Sequence, residues 1–167
     1  ADRSRLISIP ATAEGTFDAS SIAITAARRS EMYGAVNSRV VELARQAVDS
    51  VLVAAPAPAF VPADLPETLG ERAAAGASVR VLSEDATVRA LFADIDGVAV
   101  AEAVDPPMDH PGRVLIVDDR VVLLSAMPPG EGAEETAIWA ADTPMAEILA
   151  RVIVDSIESF LDGSFGE

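Results

Sequence analysis

The chain contains no cysteine, which excludes disulfides, thiolate catalysis and cysteine-built zinc sites. Its one histidine removes most histidine-based metal sites, so a metal would have to be held by carboxylates alone, and neither metal nor cofactor is expected. Lysine is absent too. All 12 basic residues are arginine, set against 27 acidic ones for a formal net charge of −15. A surface of that sign repels phosphate backbones, so these residues are poor candidates for direct DNA contact. No apolar run approaches the roughly 18 to 20 residues that a membrane helix needs, and the first residues lack the basic-then-apolar plan of a signal peptide. A soluble cytoplasmic protein without membrane contact is therefore expected. There is no Gly-rich phosphate loop, no Gly-x-Ser-x-Gly elbow, no internal repeat, and no carboxylate pair that stands out from the acidic background.

What is present is a chain of 167 residues, 50% of them apolar, enough for one sizeable core and therefore one domain. Carboxylate excess with abundant alanine fits either the solvated surface of a protein from a salt-loving organism, where salt screens self-repulsion, or the codon bias of a GC-rich genome. The first is favoured, because codon bias alone does not enrich Asp and Glu so far over Arg.

Residues 1–33 carry the weakest patterning. Arg5 to Ile9, stopped by Pro10, and Ser21 to Thr25 read as short strands with a turn near Glu14-Gly15. Arg28-Arg29 reads as a solvated face on so acidic a chain. From Val36 the pattern sharpens: Val36, Val40, Val41, Ala44, Ala47 and Val48 recur at helical spacing, predicting an amphipathic helix over 35–48. Ser50 to Ala55 reads as a buried strand, a helix over about 63–75 ends at Gly76 as C-terminal cap, and Ala77 to Leu82 is the next strand. A helix between two aliphatic strands requires a right-handed crossover, so these strands should be parallel. Ser83 is positioned to cap a short helix carrying Val88, Leu91 and Phe92. Val98 to Val104 follows as a strand.

Gly112 to Met127 is the most informative stretch. Two aliphatic runs, Val114 to Val117 and Val121 to Leu124, flank Asp118-Asp119-Arg120, which supplies turn chemistry tolerant of unusual backbone angles, and the whole reads as a β-hairpin. Thr136 to Ala140 is a strand carrying the single tryptophan, Trp139. Thr143-Pro144 then starts a helix whose apolar stripe, from Met145 to Leu161, is too wide for one sheet face, so part of it is available to another subunit. The polar Gly/Pro segment 128–135 lacks the ligand frame of a calcium loop. His110, among prolines and beside an acid in sequence, reads as a solvent-facing side chain whose charge switches near neutral pH.

The hairpin resembles the signature region of the phospholipase D superfamily, in which a His, a Lys two residues later and an Asp five residues after the Lys precede a strand ending in Gly-Ser. Arg113 stands in the Lys place, Asp118 in the Asp place and Ser125-Ala126 in the Gly-Ser place, while Pro111 replaces the His. Proline offers no nucleophile, and His110, one residue early, points to the opposite face of an extended segment. No enzymatic activity is therefore expected. With the strand Glu135-Thr-Ala-Ile-Trp139 and the long closing helix, the order of elements over about residues 36–161 is similar to the phospholipase-D-like domain of the TrmB family of transcriptional regulators.

That resemblance implies an α/β fold: a phospholipase-D-like half with a mixed central sheet flanked by helices in β-α-β-α-β-hairpin-β-α order. Residues 1–33 would form an N-terminal arm or linker, 34–162 the phospholipase-D-like domain and 163–167 a tail. It also implies a dimerisation and effector-sensing role in a DNA-binding regulator. The partners would be a second copy, a small-molecule effector such as a sugar, and DNA only through a winged-helix region not seen in this chain. Candidate ligand-binding residues are His110, Arg113, Asp118, Ser125 and Trp139. A phosphodiesterase or nuclease using His110 in a homodimer, and a stand-alone interaction module, are the alternatives.

Overall fold

The aliphatic runs of the sequence become the strands of one sheet. A computed structural model describes residues 6–8, 22–103, 112–126 and 134–161. In order these form β1 (Leu6–Ser8), β2 (Ile22–Arg28), α1 (Arg29–Arg45), β3 (Ser50–Ala54), a 3-10 turn (Pro58–Phe60), α2 (Leu65–Ala74), β4 (Ser78–Ser83), α3 (Ala86–Phe92), β5 (Val98–Glu102), β6 (Val114–Val117), β7 (Val121–Ala126), β8 (Glu134–Ala141) and α4 (Pro144–Leu161). Among the described residues the sheet has eight strands in the order β1-β2-β8-β7-β6-β3-β4-β5. The β3/β4 and β4/β5 pairs are parallel, as the intervening helices require, and the remaining pairs are antiparallel.

The two sides of the sheet have separate cores. Val51, Val53, Leu115, Val117 and Leu123 face the helices α1, α2 and α3, whereas Leu52, Leu82, Val114, Ile116 and Val122 face α4. Strand β6 is buried on both faces, which accounts for its unbroken Val-Leu-Ile-Val sequence. No helix among the described residues is long and apolar enough to cross a membrane.

Local chemistry sets the element ends. Helix α2 closes in a Schellman motif: the N–H of Gly76 donates to the carbonyl of Ala73 and that of Ala77 to Arg72, each at 3.0 Å, with Gly76 at φ +107°. Thr143 caps α4, its Oγ1 accepting the N–H of Ala146 at 3.0 Å. The cap of α3 is Asp85 rather than Ser83, and its Oδ1 accepts the N–H groups of Thr87 and Val88. Ser83 is still in the strand, where its hydroxyl donates to the carbonyl of Ala55 at 2.6 Å. Helix α1 starts earlier than its pattern predicts and ends at Arg45, three residues short of the expected limit. Val48, predicted to be core, is therefore 72% exposed.

Strand β2 lies between β1 and β8. Residues 22–28 thus belong to the sheet, and α1 runs through the expected boundary between residues 33 and 34. Pairing with β2 satisfies a row of β8 backbone groups that would otherwise form an open edge. The expected Glu14-Gly15 turn, the loop carrying His110 and Pro111, the Gly/Pro segment after residue 126 and the tail 163–167 lie outside the described residues.

The hairpin turn matches its sequence. Asp118 and Asp119 adopt φ 53° and 57°, a left-handed conformation that Asp tolerates better than most side chains, and the N–H of Arg120 closes on the carbonyl of Val117 at 3.1 Å. The turn also reaches across the sheet. Asp118 Oδ1 accepts the N–H groups of Val48, Asp49 and Ser50 at 3.1, 2.7 and 2.9 Å. Three donors at the entry to β3 thus depend on one carboxylate. Asp118→Ala should lower the free energy of unfolding in urea by about 1–3 kcal/mol, and Asp118→Asn, which keeps an acceptor and the turn preference, by less. Equal loss in the two variants would remove the carboxylate from this account.

Candidate functional site

Arg113 precedes β6 on the side of the sheet covered by α1 and α2, and it is 2% exposed. Its Nε and Nη2 donate to Oε1 and Oε2 of Glu135, each at 3.0 Å, in the parallel geometry that makes Arg–carboxylate pairs both strong and directional. Nη1 donates to the carbonyl of Phe60 at 2.9 Å and to Oδ1 of Asn37 on α1. The Phe60 ring lies beneath the guanidinium, 5.5 Å from centroid to Cζ. Glu135 is 0% exposed, and both of its oxygens are taken by Arg113. Among the described residues no buried side-chain nitrogen or oxygen lacks a partner.

Ser125 lies directly opposite Arg113, one pair beyond the Val114–Leu124 register. The N–H of Arg113 donates to Ser125 Oγ at 3.0 Å, and the N–H of Ser125 to the carbonyl of Arg113 at 2.9 Å. The neighbouring Gly112 is required by close approach: a Cβ there would lie 1.8 Å from the carbonyl oxygen of Ser125. Arg113 and Ser125, both inferred from the sequence, are thus brought together.

The other three candidates are elsewhere. Asp118 is at the far end of β6, about 16 Å away at roughly 3.3 Å per extended residue, where it binds backbone N–H groups. Trp139 is on β8, on the same face as Glu135 but about 13 Å further along the strand. Its ring is half-buried, and the Arg39 guanidinium stacks on it at 4.5 Å from the centroid; Arg39 also pairs with Glu42. His110 lies outside the described residues.

The sequence reading missed Glu135 and Asn37. A signal for Glu135 existed, since it alternates in phase with Ala137 and Trp139 and so faces the same core. Asn37 is 76 positions from Arg113 and offers no local cue. Chemically the cluster is a closed clamp: a ligand reaches the guanidinium only if Glu135 or Asn37 gives way. Trp139 with Arg39 is the accessible part, a flat aromatic and cationic platform. Among the described residues no group of three His, Cys, Asp or Glu side chains is placed to hold a metal ion.

No protein-family model matches the sequence, and a search of curated proteins finds no match. Solved structures do match in fold. TrmBL2, an archaeal chromatin protein with a novel mode of DNA binding, superposes with a TM-score of 0.60 at 15% identity, covering 83% of this chain and 52% of TrmBL2. NucT from Helicobacter pylori, a phospholipase-D-like nuclease, gives 0.59 at 16% identity, covering 83% of this chain and 97% of NucT. Polyphosphate kinase from Porphyromonas gingivalis gives 0.51 at 14% identity, over 84% of this chain and 26% of the kinase. The chain therefore has a phospholipase-D-like α/β fold, as the hairpin resemblance implies, and spans about half the length of TrmBL2.

These neighbours correct the expectation that the chain is not an enzyme, which rested on Pro111 in the place of the attacking histidine. Two of the three are enzymes on the same framework. One substituted position removes one nucleophile and leaves the framework those enzymes share.

Glu135→Ala leaves a buried guanidinium without its counter-charge and should cost about 3–5 kcal/mol. The double variant Arg113→Met, Glu135→Leu removes both charges together and should recover most of that loss. Chemical unfolding of the three proteins checks this, and a double variant as unstable as the single one would contradict it. Gly112→Ala should destabilise through the backbone clash while leaving the clamp residues unchanged, as a fall in melting temperature.

Proposed function

We propose that this chain is the subunit-pairing and effector-sensing domain of a TrmB-like, DNA-binding transcription regulator of the cytoplasm. The observation that carries the reading is the fold shared with TrmBL2 over 83% of this chain. The charge of −15 argues against DNA contact by these residues, which the TrmB resemblance would leave to a winged-helix region, and the same acidity suits a cell interior rich in salt. The effector would bind at the Trp139–Arg39 platform, where an aromatic face and a guanidinium suit a sugar or a phosphorylated sugar. The Arg113–Glu135 clamp, about 13 Å along β8, would hold that strand in place.

Because Trp139 is the sole tryptophan, its fluorescence reports on the platform directly. Titration with sugars and phosphorylated sugars should change that emission and raise the melting temperature, since a ligand that binds only the folded state stabilises it. Trp139→Phe should abolish the optical signal, and Arg39→Ala should weaken binding at least tenfold. A thermal shift that survives both substitutions would place the effector elsewhere.

A second reading is favoured by the coverage of 97% of NucT: an enzyme acting on phosphodiesters. Turnover of a chromogenic phosphodiester, lost in His110→Ala, would assign the chain to that class.

A further inference from the structure

Among the described residues five large hydrophobic side chains are exposed, and three of them, Met145, Ile148 and Val152, are on α4 at 54%, 58% and 55% exposure. Their spacing of three and four places them in one stripe along the helix. The side of α4 turned to the sheet is already filled by Ala146, Ala150, Leu149, Ile153 and Ile157. The stripe is therefore surplus to the chain's own core. Val48, in the turn before β3, and Leu91, on α3, are isolated from it in sequence.

The layer plan points to what is missing. Among the described residues one face of the sheet carries α1, α2 and α3, and the other carries α4. A helix is about 10 Å across, whereas eight strands at about 4.8 Å spacing span roughly 34 Å, so α4 covers only part of its face. On that face Leu124 and Ile138 stay half-buried, and Ala126 and Thr136 are exposed.

The Glu147 and Arg151 charges beside the stripe suit a second copy of the same helix. Arg151, the only basic residue on α4, lies one turn from Glu147 on the flank of the stripe, and both are exposed. If two copies of α4 cross antiparallel at Ile148, Met145 of each meets Val152 of the other, and Arg151 of each comes within reach of Glu147 of the other. Antiparallel two-fold packing brings the same flank of both helices together, so apolar and ionic contacts fall in register at a single crossing. An unrelated acidic partner would gain from Arg151 but not from Glu147. The stripe alone is short of the about 800 Å² per partner of a standard interface, so residues beside it would have to extend the contact.

We infer that α4 is the surface through which a second copy of this chain docks, by an isologous contact centred on Ile148. This rests on the pairing role proposed above and specifies its location: the side of the sheet opposite the Arg113 clamp, so that the two clamps do not meet. Because each copy carries a charge of −15, association strengthens as salt screens the repulsion.

The absence of cysteine makes the test direct. In 2 M KCl the 167-residue chain should sediment at twice its 17.3 kDa mass, Ile148→Asp should sediment as a folded monomer, and Ile148→Cys should form a disulfide-linked dimer under mild oxidation while Leu91→Cys does not. At the lowest salt that sustains the dimer, where exposed ion pairs are less screened, Arg151→Glu should weaken association at least tenfold, and adding Glu147→Arg to it should restore the dimer, a rescue that a merely damaged fold would not show. A wild-type chain that is monomeric in 2 M KCl would overturn the pairing role itself. A dimer that persists in Ile148→Asp, or that cross-links through Leu91→Cys instead, would leave pairing intact and overturn the assignment to α4.

Discussion

The Arg113–Glu135 pair joins segments that are far apart in the chain. Through one guanidinium the entry to β6, the start of β8, the middle of α1 and the 3-10 turn at Phe60 are held at a common point, and Ser125 adds the end of β7 through the backbone. Such a pair is weak evidence for net stability, since desolvating two ions offsets most of their attraction. Its effect is on arrangement. A β8 strand displaced so that Thr136 takes the place of Glu135 would leave Arg113 buried and uncompensated, so the pair penalises a register error in that direction.

Much of the fold was legible because its strands are aliphatic and its punctuation is conventional. The run Val-Leu-Ile-Val, the Asp-Asp turn, Gly76 after α2 and Thr143-Pro144 before α4 each encode a local geometry, and each is found as read. The parallel β3/β4 pair followed from the helix between them. What escaped was set by tertiary contacts. Ser83 has the chemistry of a cap, but a buried carbonyl of Ala55 takes its hydroxyl and Asp85 caps in its place. Val48 fits the helical period, but its backbone N–H is drawn to Asp118, 70 positions away.

The candidate site divides along the same line. Arg113 and Ser125 were legible as neighbours because a hairpin fixes its own register, so residues equidistant from the turn must face each other. Asp118 was grouped with them through a family motif, although a strand as long as β6 keeps the motif's ends apart. Glu135 needed knowledge of which strand lies beside β7, and that pairing is decided by burial of the whole sheet. An acidic residue at the start of a strand, in a chain with 27 of them, carries little weight until its partner is known.

Strand β2 has a mechanical consequence. It pairs with β8 over seven residues, from Ile22 opposite Ala140 to Arg28 opposite Glu134, and antiparallel partners pulled along their axes are loaded in shear, with all the ladder bonds resisting together. Tension applied ahead of residue 22 would pass directly into the strand that carries both Glu135 and Trp139. The two chemically distinctive features, the Arg113–Glu135 pair and the Trp139 ring, therefore share the one strand that such a load would reach.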